Sequence, residues 1–72
     1  AYVAVIKVIE LVGESHESWD DAVRQAVREA ARTIRNISGV EVLNMTGSID
    51  ENGEIVDYKA DVQIAFRVDP DR

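Results

Sequence analysis

Few side chains in this 72-residue chain suit chemistry, and their spacing decides how each is read. His16 is the single histidine and cysteine is absent, so a thiolate nucleophile or a His/Cys metal centre has nothing to be built from. His16 lies in the polar stretch "ESHES" and reads as a surface residue. No serine stands at a recognisable motif spacing from a base, which leaves nucleophilic catalysis without a candidate. Asp50, Glu51, Asn52 and Glu54 crowd together as in a calcium loop. They lack its alternating ligand spacing and its distant bidentate glutamate, so the segment reads as a hairpin turn. Asp20 and Asp21 could meet a hard cation with help from a neighbouring copy, although the same pair suits the positive end of a helix dipole. Trp19, the only tryptophan, reads as a core or interface anchor, with ligand stacking as the alternative.

Composition narrows the partners. The formal charge is −6, from 8 basic and 14 acidic residues, and no basic face is concentrated enough for phosphate backbones or anionic membranes. No apolar run approaches the roughly 20 residues of a spanning helix. Ala1 to Val12 lacks the basic start and small-residue cleavage site of a signal peptide, so a cytoplasmic protein is expected. One domain over residues 1–72 is expected as well. A chain this short buries only about 60% of the surface its unfolded form exposes, and without cysteines oligomerisation is the remaining common support.

The elements follow from periodicity. Tyr2 to Val12 is rich in β-branched residues with apolar side chains on both faces, as in a strand covered on both sides, and Gly13 is expected to end it. Ser18 with Asp21 forms an acidic variant of the capping box. From there Trp19, Ala22, Val23, Ala26, Val27, Ala30 and Ile34 keep the spacing of one buried helical stripe. Gly39 is placed just past this helix, as a left-handed stop. Val40 to Ile49 and Ile55 to Val68 read as strands joined by "DENGE", where Asn52-Gly53 carries the type I′ hairpin signature. In the last strand Tyr58, Ala60, Val62, Ile64, Phe66 and Val68 alternate with polar positions and should face the helix. The fold class is α+β: a β-α-β-β chain whose three-stranded antiparallel sheet packs on one helix. Leu43, Met45 and Ile49 are expected on the opposite face, unless a bulge shifts the register. That face calls for cover by other subunits.

"KVIELVGES" (Lys7 to Ser15), "SWDDAVRQAVREAARTIRNI" (Ser18 to Ile37), "VEV" (Val40 to Val42) with "GSI" (Gly47 to Ile49), and "YKADVQIAFRV" (Tyr58 to Val68) stand in an order and spacing that resemble the dodecins. The resemblance implies a hollow homododecamer that binds a small ligand without catalysis, commonly a flavin such as FMN or riboflavin. It implies ligand contacts at the positions held here by Gly39, Glu41, Lys59, Gln63 and Arg67. Gly39 stands where flavin-binding members keep a stacking Trp, and Lys59 where they keep a Gln. Both changes weaken the flavin reading, because a glycine offers no ring and an ammonium donates without accepting. Thr46 replaces an Arg of several bacterial members, while Arg67 matches one found in some of them. A second branch, the calcium dodecins, also lacks that Trp and starts its helix as "SWDD" does here. This keeps calcium as the alternative ligand, with Asp20 and Asp21 as its tentative contacts, or else a purely structural cage.

Overall fold

The computed structural model describes residues 5–68, so Tyr2 to Ala4 of the expected first strand and Pro70 lie outside the described residues. β1 (Val5–Ser15), α1 (Trp19–Thr33), β2 (Ile37–Ile49) and β3 (Ile55–Val68) follow one another along the chain. The strands form one antiparallel sheet in the order β1-β3-β2, with α1 lying on one face across β1 and β3. The expected β-α-β-β architecture is therefore observed.

The helix begins where the sequence placed it. Ser18 takes an extended conformation and its Oγ accepts the Asp21 amide at 3.0 Å. The other half of the capping box is replaced by Ser15. Its Oγ donates to Asp21 Oδ2 at 2.7 Å and accepts the Glu17 amide at 2.8 Å, tying the end of β1 to the first turn of α1. The core is narrow. Ala22, Ala26 and Ala30 from the helix meet Ala60, Val62 and Ile64 of β3, with Ile9, Leu11, Val23, Val27, Ile34 and Ile37 packed around them. Alternation on β3 falls as expected, since Ala60, Val62 and Ile64 are fully buried.

Four local expectations need correction. Gly13 does not end β1; it lies inside the strand, opposite Ala60. A Cβ there would stand 1.9 Å from the Ala22 carbonyl oxygen, so the glycine marks the crossing of helix and strand rather than a break. Gly39 is not the helix stop either. α1 ends at Thr33 with Ile34 extended, Asn36 takes the left-handed conformation (φ 64°), and Gly39 is a residue of β2 without positive φ. Asparagine tolerates that region because its short amide bonds locally. Thirdly, Asn52 lacks the positive φ of a type I′ turn. The Gly53 amide instead bonds the Asp50 carbonyl at 3.0 Å, with Gly53 left-handed at φ 82°, as in a wider loop closed by a glycine bulge. Asp50 Oδ1 holds this loop by accepting the amides of Asn52 and Glu54. Lastly, an irregularity between Val42 and Asn44 pairs Met45 with Ala60, on the helix side, while Ile49 pairs with Ile55 on the opposite side. Met45 therefore leaves the face expected for it.

The outcome is a slab of 58 × 20 × 13 Å with a radius of gyration of 15.3 Å. A compact chain of this length has about 11 Å. Because α1 sits over β1 and β3, the helix-side residues of β2 are left uncovered: Val40, Val42 and Met45 are 39–49% exposed. Ile6, Val8 and Val12 are similarly bare on the far side of β1.

Gly13→Ala is expected to lower stability by roughly 2 kcal/mol or more, since backbone must move to admit the methyl. Gly39→Ala, whose added Cβ meets nothing within 4 Å, is expected to raise it by about 0.5 kcal/mol. Denaturant unfolding of both variants beside the wild type, at one protein concentration, reads the two signs.

Candidate functional site

The sheet face turned away from α1 is where the ligand positions implied by the sequence come together. Period-two alternation and the strand register build it in rungs across β1, β3 and β2. Val8, Ala65 and Gly39 form one rung; Glu10, Gln63 and Glu41 the next; then Val12, Asp61 and Asn44; then Glu14, Lys59 and Thr46. Arg67 pairs with Ile6 at one end and Asp57 with Ser48 at the other. Gly39, Glu41, Lys59, Gln63 and Arg67 thus share one face. Gly39, Glu41 and Gln63 occupy adjacent rungs, Lys59 lies two rungs further along, and Arg67 sits just beyond Gly39.

The rung positions differ in what they offer. Beside Gly39 the face is open, and neither crowding nor backbone conformation requires a glycine there. Lys59 is engaged: its Nζ donates to Asp57 Oδ2 at 2.5 Å and lies 3.8 Å from Glu14. Its hydrogen bond to Asp57 raises the lysine's pKa above the ordinary value and holds the Asp57 carboxyl below its own. Asp57 is buried, and His16 Nδ1 stands 3.9 Å from its Oδ1.

The same face is strongly acidic, a property not singled out from the sequence. Glu10, Glu14, Glu41, Asp57 and Asp61 face Lys59 and Arg67 there. The Asp61 carboxyl raises the pKa of Glu10, first by hydrogen bonding and then by like charge. Among the described residues, Asp57 Oδ1 and Asp61 Oδ1 are buried side-chain oxygens without a hydrogen-bond partner. Buried carboxylate oxygens ordinarily have a protein, water or ion partner, so these two mark where something else should bind or pack. Only the strand register reveals this arrangement, since the five acids are spread over residues 10–61 of the chain.

The tentative metal positions lie elsewhere. Asp21 is committed to Ser15 and Gln25, and its bond from Ser15 lowers its pKa. Asp20 is exposed and borders a shallow groove with Val23, Arg24, Val42 and Met45. Among the described residues no three acidic or histidine side chains gather tightly enough to hold a metal within one chain. Trp19 also stands off the ligand face, fastened to the hairpin. Its indole N–H donates to the Thr46 carbonyl at 2.8 Å, its ring meets Tyr58 edge-on at 4.8 Å, and Gly47 makes room for it. The anchor reading of Trp19 thus describes its contacts.

The comparisons with known proteins agree with this fold. The family model described as Dodecin matches residues 5–69. A dodecin of Thermus thermophilus is 34% identical over 65 residues, covering 90% of this chain and 93% of that protein. The calcium dodecin of Mycobacterium tuberculosis is 30% identical over 67 residues, 93% of each. A Thermus thermophilus crystal structure superposes with a TM-score of 0.86 at 33% identity, covering 93% of this chain and 97% of that one. The crystal structure of the Mycobacterium tuberculosis calcium dodecin, described as having a novel calcium-binding site, superposes at 0.76 with 29% identity, covering 94% and 96%.

Two pH effects of opposite sign are expected. Asp57 contributes stability that is present above its ordinary value of 3.8 and lost as the pH falls below it, so Asp57→Asn flattens the acid limb of the stability profile. Glu10 works the other way, costing stability once the pH rises through its raised value, which lies above 4.5. Glu10→Gln should therefore melt higher than wild type at neutral pH and alike at pH below 4.5. Melting curves across acid and neutral pH check both.

Proposed function

The chain belongs to the dodecin family, and from that premise we propose that it is a non-enzymatic small-ligand-binding protein working as a homo-oligomer of the dodecameric kind. The observation that carries this reading is the uncovered apolar surface on both sides of the slab. Val40, Val42 and Met45 beside the helix, and Ile6, Val8 and Val12 behind it, have no cover among the described residues. Neighbouring copies would bury them and in doing so bring several acidic faces together. The partners are the chain itself and a small ligand or ion, with no nucleic acid and no membrane. No helix among the described residues is long and apolar enough to cross a membrane, and a cytoplasmic setting is part of the same reading.

For the ligand itself, a hard divalent cation such as calcium suits the outer face better than a flavin. Five carboxylates against two cations attract calcium and repel a phosphate, and Asp57 Oδ1 and Asp61 Oδ1 are oxygen donors in want of a partner. The likeness to a calcium dodecin points the same way. The described residues of one chain fall short of a full ligand set, so the coordination we propose is completed between copies, with exposed Asp20 able to add a carboxylate from a neighbour. Against a flavin, Gly39 supplies no ring to stack on and Lys59 is held by Asp57. Yet the space above Gly39 is free, so the missing platform is one substitution away.

Calorimetric titration of the chelator-treated protein with calcium should give heat and a raised melting temperature, both reduced in Asp61→Asn. No heat and no shift would remove the calcium reading. Riboflavin fluorescence should remain unquenched by micromolar wild-type protein and become quenched by Gly39→Trp. Strong quenching by the wild type would show that the face binds flavin without that ring.

A further inference from the structure

Asn52-Gly53 lies at the tip of the hairpin between β2 and β3, beyond the last rung of the ligand face. Both residues are exposed, and a Cβ at Gly53 would meet nothing within 4 Å. Asparagine is chemically labile because its side-chain amide carbon can be reached by the backbone nitrogen of the next residue. A side chain on that next residue shields the nitrogen, so the successor largely decides which asparagine reacts. Asn36 is followed by Ile37 and Asn44 by Met45; Asn52 alone precedes a glycine.

The folded turn holds the attacking nitrogen back. The Gly53 amide donates to the Asp50 carbonyl at 3.0 Å, which commits its proton and fixes its direction. Asp50 closes the loop from its other sides as well: its own amide donates to the Glu54 carbonyl at 2.9 Å, and Oδ1 accepts the amides of Asn52 and Glu54. The carboxylates of Asp50, Glu51 and Glu54 add like charge, which disfavours the deprotonated nitrogen that must attack. Against this, none of residues 50–54 is buried, and an exposed turn of this kind opens at little cost.

We propose that Asn52 is a site of spontaneous deamidation, closing onto the Gly53 nitrogen from the opened turn, with Asp50 as the latch that sets how often the turn opens. Base removes the Gly53 amide proton, the nitrogen bonds to Asn52 Cγ, and the side-chain nitrogen leaves as ammonia with a proton from water. The product is a cyclic succinimide. Water then opens it, at the side-chain carbonyl to give aspartate or at the backbone carbonyl to give isoaspartate, so that one water is consumed for each ammonia released. Each event adds one negative charge to a chain already at −6, and the isoaspartyl form inserts a methylene into the backbone of the loop. The calcium reading is independent of this chemistry.

The experiment is incubation of the full-length protein at mildly alkaline pH and 37 °C, about the temperature of a warm cell, with peptide mass mapping and enzymatic methylation of isoaspartate as readouts. Folded wild type should lose the Asn52 amide while Asn36 and Asn44 keep theirs, and the same chain unfolded in urea should lose it faster. Asp50→Ala should speed the folded protein about tenfold, equivalent to about 1.4 kcal/mol in turn opening. Asp50→Asn, which keeps an oxygen acceptor, should change the rate far less. An Asn52 amide that survives in the folded protein while the unfolded chain loses it would overturn the site. Equal rates in folded Asp50→Ala and wild type would overturn the latch; if that variant does not fold, equal rates in folded and unfolded wild type would do so.

Discussion

The approach of α1 to β1 at Gly13 sets the thickness of this molecule, and its other features follow from that contact. With no Cβ at Gly13, the Ala22 carbonyl comes down onto the strand, and three alanines spaced four apart keep the helix close along its length. Small side chains at a contact bring two elements near but bury little area each. Of the six buried core residues, four are alanines, and only Val62 and Ile64 are large and fully enclosed. At about 25 cal/mol per Å² of apolar surface removed from water, such a core is a weak source of stability for 72 residues.

The same contact decides what remains uncovered. A helix drawn to β1 and β3 leaves the helix side of β2 bare, where Val40, Val42 and Met45 continue the apolar surface beside Val23. The reverse side of the sheet is divided, with valine and isoleucine along β1 and charge toward β3 and β2. Apolar strips that require burial therefore stand next to carboxylates that require partners, and one event, association of copies, meets both needs. The oligomerisation and ligand binding proposed above would in this way be two consequences of a single thin core.

Much of this was legible in the sequence, because the strongest patterns there have one physical cause. β3 alternates because one side packs on α1 and the other does not, and Ser18 caps the helix through a purely local hydrogen bond. The glycines were harder. A glycine can end an element, take positive φ or permit close approach, and the chain alone does not say which. Gly13 was given the first role and has the third, through a contact nine residues away in sequence; Gly39 was given the second, which Asn36 fills. Met45 changed sides because one irregularity at Leu43 reverses the residues that follow it, until a second between Ser48 and Ile49 returns Ile49 to its expected face. The acidic face was invisible for a related reason, since its residues come from three strands and meet only through register.

The claim on which these consequences rest is that the slab does not exist alone. Light scattering on the size-exclusion-purified protein, followed through serial dilution, measures this directly. Assembly through the bare strips of β2 and β1 should give a mass that is a fixed multiple of the 8.0 kDa chain, twelve in the closed form, persisting at low concentration. Substituting Val42 and Met45 with polar residues should lower it. A folded 8.0 kDa monomer, unchanged by dilution or by those substitutions, would contradict it.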